Sequence, residues 1–189
     1  MIDFLYSIDV TIFYFINHTI QNPLFNKFFP FITEVKHWHI AFVLLWGISF
    51  FKGGRKGKVA AIGAIFVIIA SDQISSSLLK NWVQRIRPCN VLPDVNLLAG
   101  CTSSFSFPSS HAVNNFAMAT FFYRFFPKLK YPLFITAFLV AFSRPYCGVH
   151  YPSDVLFGGI IGAIIGYALS IIAIKTDLLI KTKLEKKEL

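Results

Sequence analysis

Residues 153–174 read SDVLFGGIIGAIIGYALSIIAI. A bilayer crossing takes roughly 20 apolar residues at about 1.5 Å rise each, and this stretch reaches that length with a single charge near its start. It does not alternate polar with apolar residues, so it reads as a helix and not as a barrel strand. Gly158, Gly162 and Gly166 recur at four-residue spacing. Such a stripe lets another helix approach closely, first within the monomer and otherwise in a dimer. Working outward, further apolar segments lie at 4–20, 37–51, 58–80, 109–126 and 131–147. The pattern predicts an all-α fold, a polytopic membrane helical bundle with six transmembrane helices, forming one integral-membrane unit over residues 1–189. Segment 4–20 carries Asp9, Asn17 and His18, and reads either as a span or as an interfacial helix. Asn22-Pro23 marks a turn after it. Residues 24–36 read as a short amphipathic piece or as an early extension of the second span.

The composition agrees. Of 189 residues, 55% are hydrophobic and 14% charged, against about 25% charged in a soluble domain. That excludes an ordinary cytosolic protein and a disordered tail. The net charge of +9 raises the question of nucleic acid, but the basic residues lie between or after apolar runs, as topology signals do. Lys52, Arg55, Lys56 and Lys58 follow the second segment. Arg124, Lys128 and Lys130 follow the fourth, and Lys175, Lys181, Lys183, Lys186 and Lys187 form the tail. All twelve fall on one side of the bundle, which the positive-inside rule assigns to the cytoplasm. The linker 81–108, rich in Pro, Gly and Ser, and the turn 148–152 then face outward. No basic residue precedes Lys27 and no small-residue cleavage site is seen, unlike a removable signal peptide. Cys89, Cys101 and Cys147 are an odd set without zinc spacing, and Cys89 can pair with Cys101 if their loop faces an oxidising compartment.

This topology brings distant polar residues to one membrane face. Lys80 ends the third segment, Arg87 follows it, His111 starts the fourth, Arg144 ends the fifth, and His150 and Asp154 flank the start of the sixth. Ionisable groups in membrane segments are costly and mark function. Three cations suit the equatorial oxygens of a phosphoryl group. A neutral His150 can attack phosphorus, with Asp154 four residues on holding its tautomer. His111 can protonate the leaving oxygen and then activate water. Ser109 and Ser110 sit at a helix start, where backbone amides bind phosphate oxygen. Asp72 reads as a buried packing residue bonded to Ser75 or Ser76, or as a functional carboxylate. Arg85 reads as a solvated loop charge or as a guide for an anionic headgroup. His18, His37 and His39 read as interfacial groups, and no metal ligand set is visible.

The same residues carry a family resemblance. Residues 80–88 read KNWVQRIRP, 108–111 PSSH, and 143–154 SRPYCGVHYPSD. Together they resemble the three signature motifs of the type-2 phosphatidic acid phosphatase (PAP2) family, which is similar to vanadium haloperoxidases at the phosphate site. The resemblance implies a six-span bundle with His150 as nucleophile, Asp154 as its orienter and His111 as acid/base. It gives Lys80, Arg87, Arg144 and Ser109 the phosphate, with Ser110 standing where the usual motif has Gly. The opening, Asp9-Phe13-Ile16-Asn17, then Asn22-Pro23 and Thr33, also resembles small bacterial members.

The expected function is hydrolysis of a phosphate monoester or diphosphate on a bacterial cell-envelope lipid, through a phosphohistidine and without metal or cofactor. The resemblance points to undecaprenyl diphosphate, phosphatidylglycerophosphate or lipid A 1-phosphate. The expected partners are that phosphorylated membrane lipid and the lipid bilayer of the inner membrane, not nucleic acid, with the active site on the outer or periplasmic face. The oligomeric state is left open. A lipid or anion transporter with a cationic phosphate site is the competing class, but it has no need of an ordered His-Asp pair and a second His.

Overall fold

The computed structural model describes residues 2–186, so Lys187 of the basic tail lies outside the described residues. Helix α1 (Ile2–Tyr14) continues through a π-helical turn at Phe15–Thr19. Asn22 then caps α2 (Pro23–Thr33): its side chain accepts a hydrogen bond from the Phe25 amide at 2.9 Å, with Pro23 in the first turn. A 3-10 turn at Val35–Trp38 separates α2 from α3 (His39–Lys52), so 24–36 is a separate short helix and not an extension of the second span. Helix α4 (Gly54–Asp72) returns along α3, with Trp46 Nε1 donating to the Ala61 carbonyl at 2.9 Å. It runs on through a π stretch, Gln73–Leu79, into α5 (Lys80–Val83). The linker holds a further short helix, α6 (Pro88–Val91), and is otherwise loop. Then come α7 (Ser110–Phe125), α8 (Lys130–Tyr146) and α9 (Pro152–Glu185).

Helix α7 is the centre of the bundle and packs against α4, α8 and α9. The glycine stripe of α9 makes that possible. A Cβ at Gly158 would meet Ser109 and Ala112, one at Gly162 the Val113 carbonyl, and one at Gly166 the Ala117 carbonyl. The stripe is therefore filled from within the chain, which answers the dimer alternative for that face. Deeper in, Ala60, Val67, Ala117, Phe121 and Phe125 form a core between α4 and α7.

The outer faces are apolar: Phe42, Leu45, Ile62, Phe66 and Ile164 are all exposed. Surface of this kind marks a membrane contact, and lipid solvates it where water would not. Gly54–Val91 and Pro152–Glu185 are long and apolar enough to cross a membrane. Helix α9 runs to Glu185 and does not stop at 174, because the Lys-, Leu- and Glu-rich sequence beyond favours helix and contains no Gly or Pro. Its distal part is tied down where Arg55 Nε meets Asp177 Oδ1 at 2.8 Å. The basic residues of α4's start and α9's end thus share one end of the bundle. Lys80 and the start of α9 lie at the other.

Candidate active site

The turn from α8 to α9 delivers His150. Gly148 has φ +84°, the left-handed region, and a side chain there would strike Val95 and the Asn96 carbonyl. The tight turn is closed by Gly148 N donating to the Pro145 carbonyl and Val149 N to the Arg144 carbonyl, both at 3.1 Å. Pro152 starts α9 and places Asp154 in its first turn, where the helix dipole favours a carboxylate. The Tyr151 amide donates to Asp154 Oδ2 at 2.9 Å, and the Ser106 hydroxyl donates to the same oxygen.

His150 is 1% exposed. Its Nε2 lies 2.9 Å from Arg87 Nη1. A guanidinium only donates, so Nε2 accepts and carries the lone pair. The proton of the neutral ring is then on Nδ1, which faces Asp154 Oδ2 at 3.5 Å and Ser106 Oγ at 3.4 Å. Burial pushes the His150 pKa down to about 3; the Asp154 hydrogen bond opposes that shift and the Arg87 charge adds to it. The ring is neutral at ordinary pH, and its Nε2 lone pair is held by Arg87.

Arg87 is held rigidly. Nη1 also donates to the Val149 carbonyl at 2.9 Å, Nε to the Ser104 carbonyl at 2.8 Å, and Nη2 to Ser104 Oγ at 3.0 Å. Cys89 and Cys101 are joined by a disulfide that closes the loop between Arg87 and Ser104. Arg144 donates from Nη1 to Thr33 Oγ1 at 2.8 Å, while its buried Nε has no partner among the described residues. Lys80 is buried on α5, within reach of the charges of Arg87, Arg144 and Asp154. His111 is on the first turn of α7, with Nε2 3.2 Å from the Thr33 carbonyl. A carbonyl only accepts, so Nε2 holds a proton there.

The Ser109 amide departs from its sequence reading. The Ser109 amide donates to the Asp154 carbonyl at 3.1 Å and is not free for phosphate, although its buried hydroxyl has no partner among the described residues. The Ser110 hydroxyl lies 3.1 Å from Ser76 Oγ, which donates to Asp72 Oδ1 at 3.1 Å. Asp72 is exposed and not buried. Arg85 is not a solvated loop charge: it pairs with Asp9 and Asp154. Sequence pattern does not single out Ser104 or Ser106, which lie in the linker loop outside the motifs. Among the described residues, no three His, Cys, Asp or Glu side chains gather at one point. Below the α8–α9 turn lies an apolar cleft of about 440 Å³, lined by Phe116, Phe134, Phe138, Phe142, Pro145 and Pro152.

Comparison with known proteins assigns this chemistry to a class, the membrane lipid phosphatases. The family model of the PAP2 superfamily matches residues 60–176, more than half of the chain, and the chain belongs to that superfamily. The lipid A 4'-phosphatase of Bacteroides thetaiotaomicron is 33% identical over 183 residues, covering 93% of this chain and 81% of the relative. The crystal structure of Aquifex aeolicus LpxE superposes with a TM-score of 0.64 at 30% identity, covering 88% of this chain and 94% of that one. The transmembrane PAP2-type phosphatidylglycerolphosphate phosphatase of Bacillus subtilis gives 0.71 at 26% identity, covering 90% and 87%.

Proposed function

We propose that residues 1–189 form one membrane-embedded phosphatase unit with six spans, acting on a cell-envelope lipid. Its substrate carries a phosphate monoester or diphosphate, of the undecaprenyl diphosphate, phosphatidylglycerophosphate or lipid A phosphate class. The observation that carries this reading is a buried donor without an acceptor: Arg144 Nε has no partner, at the end of the bundle that also holds a neutral His150. A buried donor left unpaired costs about 1–3 kcal/mol, and a phosphate oxygen would satisfy it.

In the first step Arg87 Nη1 passes from His150 Nε2 to a phosphate oxygen, the freed Nε2 lone pair attacks phosphorus, the P–N bond forms, and the bond to the leaving oxygen breaks. Lys80, Arg87 and Arg144 balance the charge on the equatorial oxygens, Ser109 Oγ adds a donor, and Asp154 stabilises the imidazole as it becomes cationic. His111 enters this step as the imidazolium: Nε2–H stays on the Thr33 carbonyl, Nδ1–H passes to the leaving oxygen, and the ring is left neutral. In the second step His111 Nδ1 takes a proton from water, the water oxygen attacks phosphorus, and the P–N bond breaks. No step draws on a metal or cofactor. The Ser110 amide, at the start of α7, adds a donor for a phosphate oxygen, while its hydroxyl joins the Ser76–Asp72 chain.

Sidedness follows from charge and redox chemistry. The basic end is cytoplasmic by the positive-inside rule, which puts the phosphate site at the outer, periplasmic boundary of the inner membrane. The Cys89–Cys101 disulfide at that end supports an oxidising surrounding. The lipid tail approaches laterally from the bilayer.

The test is phosphate release from a panel of these lipids by the purified full-length protein in detergent, with chelator present. The expected result is release by wild type and a loss of at least about 1,000-fold in His150→Ala. Transport of the lipid without hydrolysis, retained in that variant, would favour the transporter.

A further inference from the structure

Arg85 lies between the Lys80 and Arg87 of the first motif, and both of its terminal nitrogens are taken by protein side chains. Nη2 donates to Asp9 Oδ2 at 2.6 Å, and Nη1 donates to Asp154 Oδ1 at 2.8 Å and Ser153 Oγ at 2.7 Å. The guanidinium carbon sits 3.8 Å above the centre of the Tyr151 ring. Asp9 in turn accepts from the Ser153 amide at 2.9 Å and from the Ser153 hydroxyl. The backbone of Arg85 takes part as well: its carbonyl accepts from the Ser106 amide at 2.6 Å, and Ser106 donates to the other Asp154 oxygen.

We propose that Asp9 and Arg85 are positioning residues for the His150 nucleophile. Asp9, on α1, holds Arg85; Arg85 holds Oδ1 of Asp154; and Oδ2 is left facing His150 Nδ1. The proposal rests on the reading of His150 as nucleophile given above.

The physical reason lies in the two-fold freedom of a carboxylate. Asp154 is 0% exposed, so neither oxygen can find water, and an unheld Oδ1 would swap places with Oδ2 or draw the imidazole out of line. A guanidinium fork bridges two carboxylates in one plane, which an ammonium does not. Charge matters too. Asp9, Asp154 and Arg85 sum to one negative charge, leaving the pair able to stabilise an imidazolium as the P–N bond forms. Helix α1 thereby becomes part of the catalytic end, although it donates nothing to the phosphate.

The experiment uses the full-length protein in detergent with dioctanoyl phosphatidate as probe substrate, measuring kcat, KM and the inhibition constant of inorganic phosphate. A misplaced nucleophile should lower kcat about 100-fold in Arg85→Met, with KM and phosphate inhibition held within about threefold. Arg85→Lys should recover at least about tenfold of that loss, and Asp9→Asn should lower kcat about tenfold. A raised KM and weakened phosphate inhibition at wild-type kcat would overturn the proposal, because Arg85 would then touch substrate. Wild-type kcat in both Arg85→Met and Asp9→Asn would overturn it as well. Melting curves identify a variant that fails to fold. If Arg85→Met does so, Asp9→Asn decides, since it keeps an acceptor oxygen and the same volume. His150→Ala run alongside separates the two readings. Activity in that variant sinks the nucleophile assignment, whereas its silence beside unchanged Arg85 and Asp9 variants sinks the positioning pair alone.

Discussion

Both ends of the bundle are cationic, and they use charge in opposite ways. At one end Lys52, Arg55, Lys56, Lys58, Lys128 and Lys130 are exposed. Arg55 does reach Asp177, but in an exposed pair of the kind that contributes little. At the other end Lys80, Arg87 and Arg144 are 8%, 6% and 8% exposed. Arg87 is fixed by two carbonyls, a hydroxyl and an imidazole, none of them a full negative charge. Exposed cations serve as topology signals, and their exact placement is of little energetic consequence. Buried cations without enough protein anions cost energy, and an anionic ligand recovers it. Burial, and not the number of Lys and Arg, separates the binding end from the anchoring end.

The hardest test of that contrast is Arg87→Ala. It removes a proposed phosphate-binding cation and the group that donates to Nε2 of His150, so kcat/KM should fall about 1,000-fold in a phosphate-release assay. A loss below tenfold would put Arg87 with the structural cations. A smaller effect concerns pH. The His150 pKa is lowered by burial to about 3, so the unfolded chain takes up the proton more readily than the folded one. Stability should therefore fall as pH drops from about 6.5 towards 3, while kcat/KM shows no acid limb near 6.5 from this residue. A limb centred there that moves in Asp154→Asn would mean that His150 titrates normally and that its burial is overstated. The smallest effect belongs to the other end. Lys56→Gln should leave kcat/KM within about twofold at physiological salt, because an exposed charge at the opposite end of the bundle is screened from the proposed phosphate site. A tenfold change would break the division.

Helix type, approximate helix positions and the clustering of basic residues are legible because each depends on local pattern. Twenty apolar residues have few alternatives to a membrane helix, and the glycine stripe of α9 announced close packing before its partner α7 was known. Boundaries were less legible. The tail beyond 174 continues α9, and residues 24–36 fold as a separate helix, because capping and the next contact set where a helix stops. Lys80, Arg87, His111, Arg144, His150 and Asp154 could be gathered at one end from topology alone. Ser104 and Ser106 could not, since a serine in a loop carries no periodic signal. Thr33 and Asp9 stood out only through a faint likeness at the N-terminal end, with no hint of what they touch.

The sequence by itself determined that this is a helical membrane protein and which residue types meet at one end of the bundle, because hydrophobic length and charge bias act over a few residues at a time. Only the tertiary structure decided which oxygen faces which nitrogen. Arg85 became the partner of Asp9 and Asp154, the Ser109 amide went to the Asp154 carbonyl, and Thr33 joined His111 to Arg144. Those choices rest on directional bonds between segments as many as 111 residues apart, and a hydrogen bond has no direction until both of its ends have been folded into place.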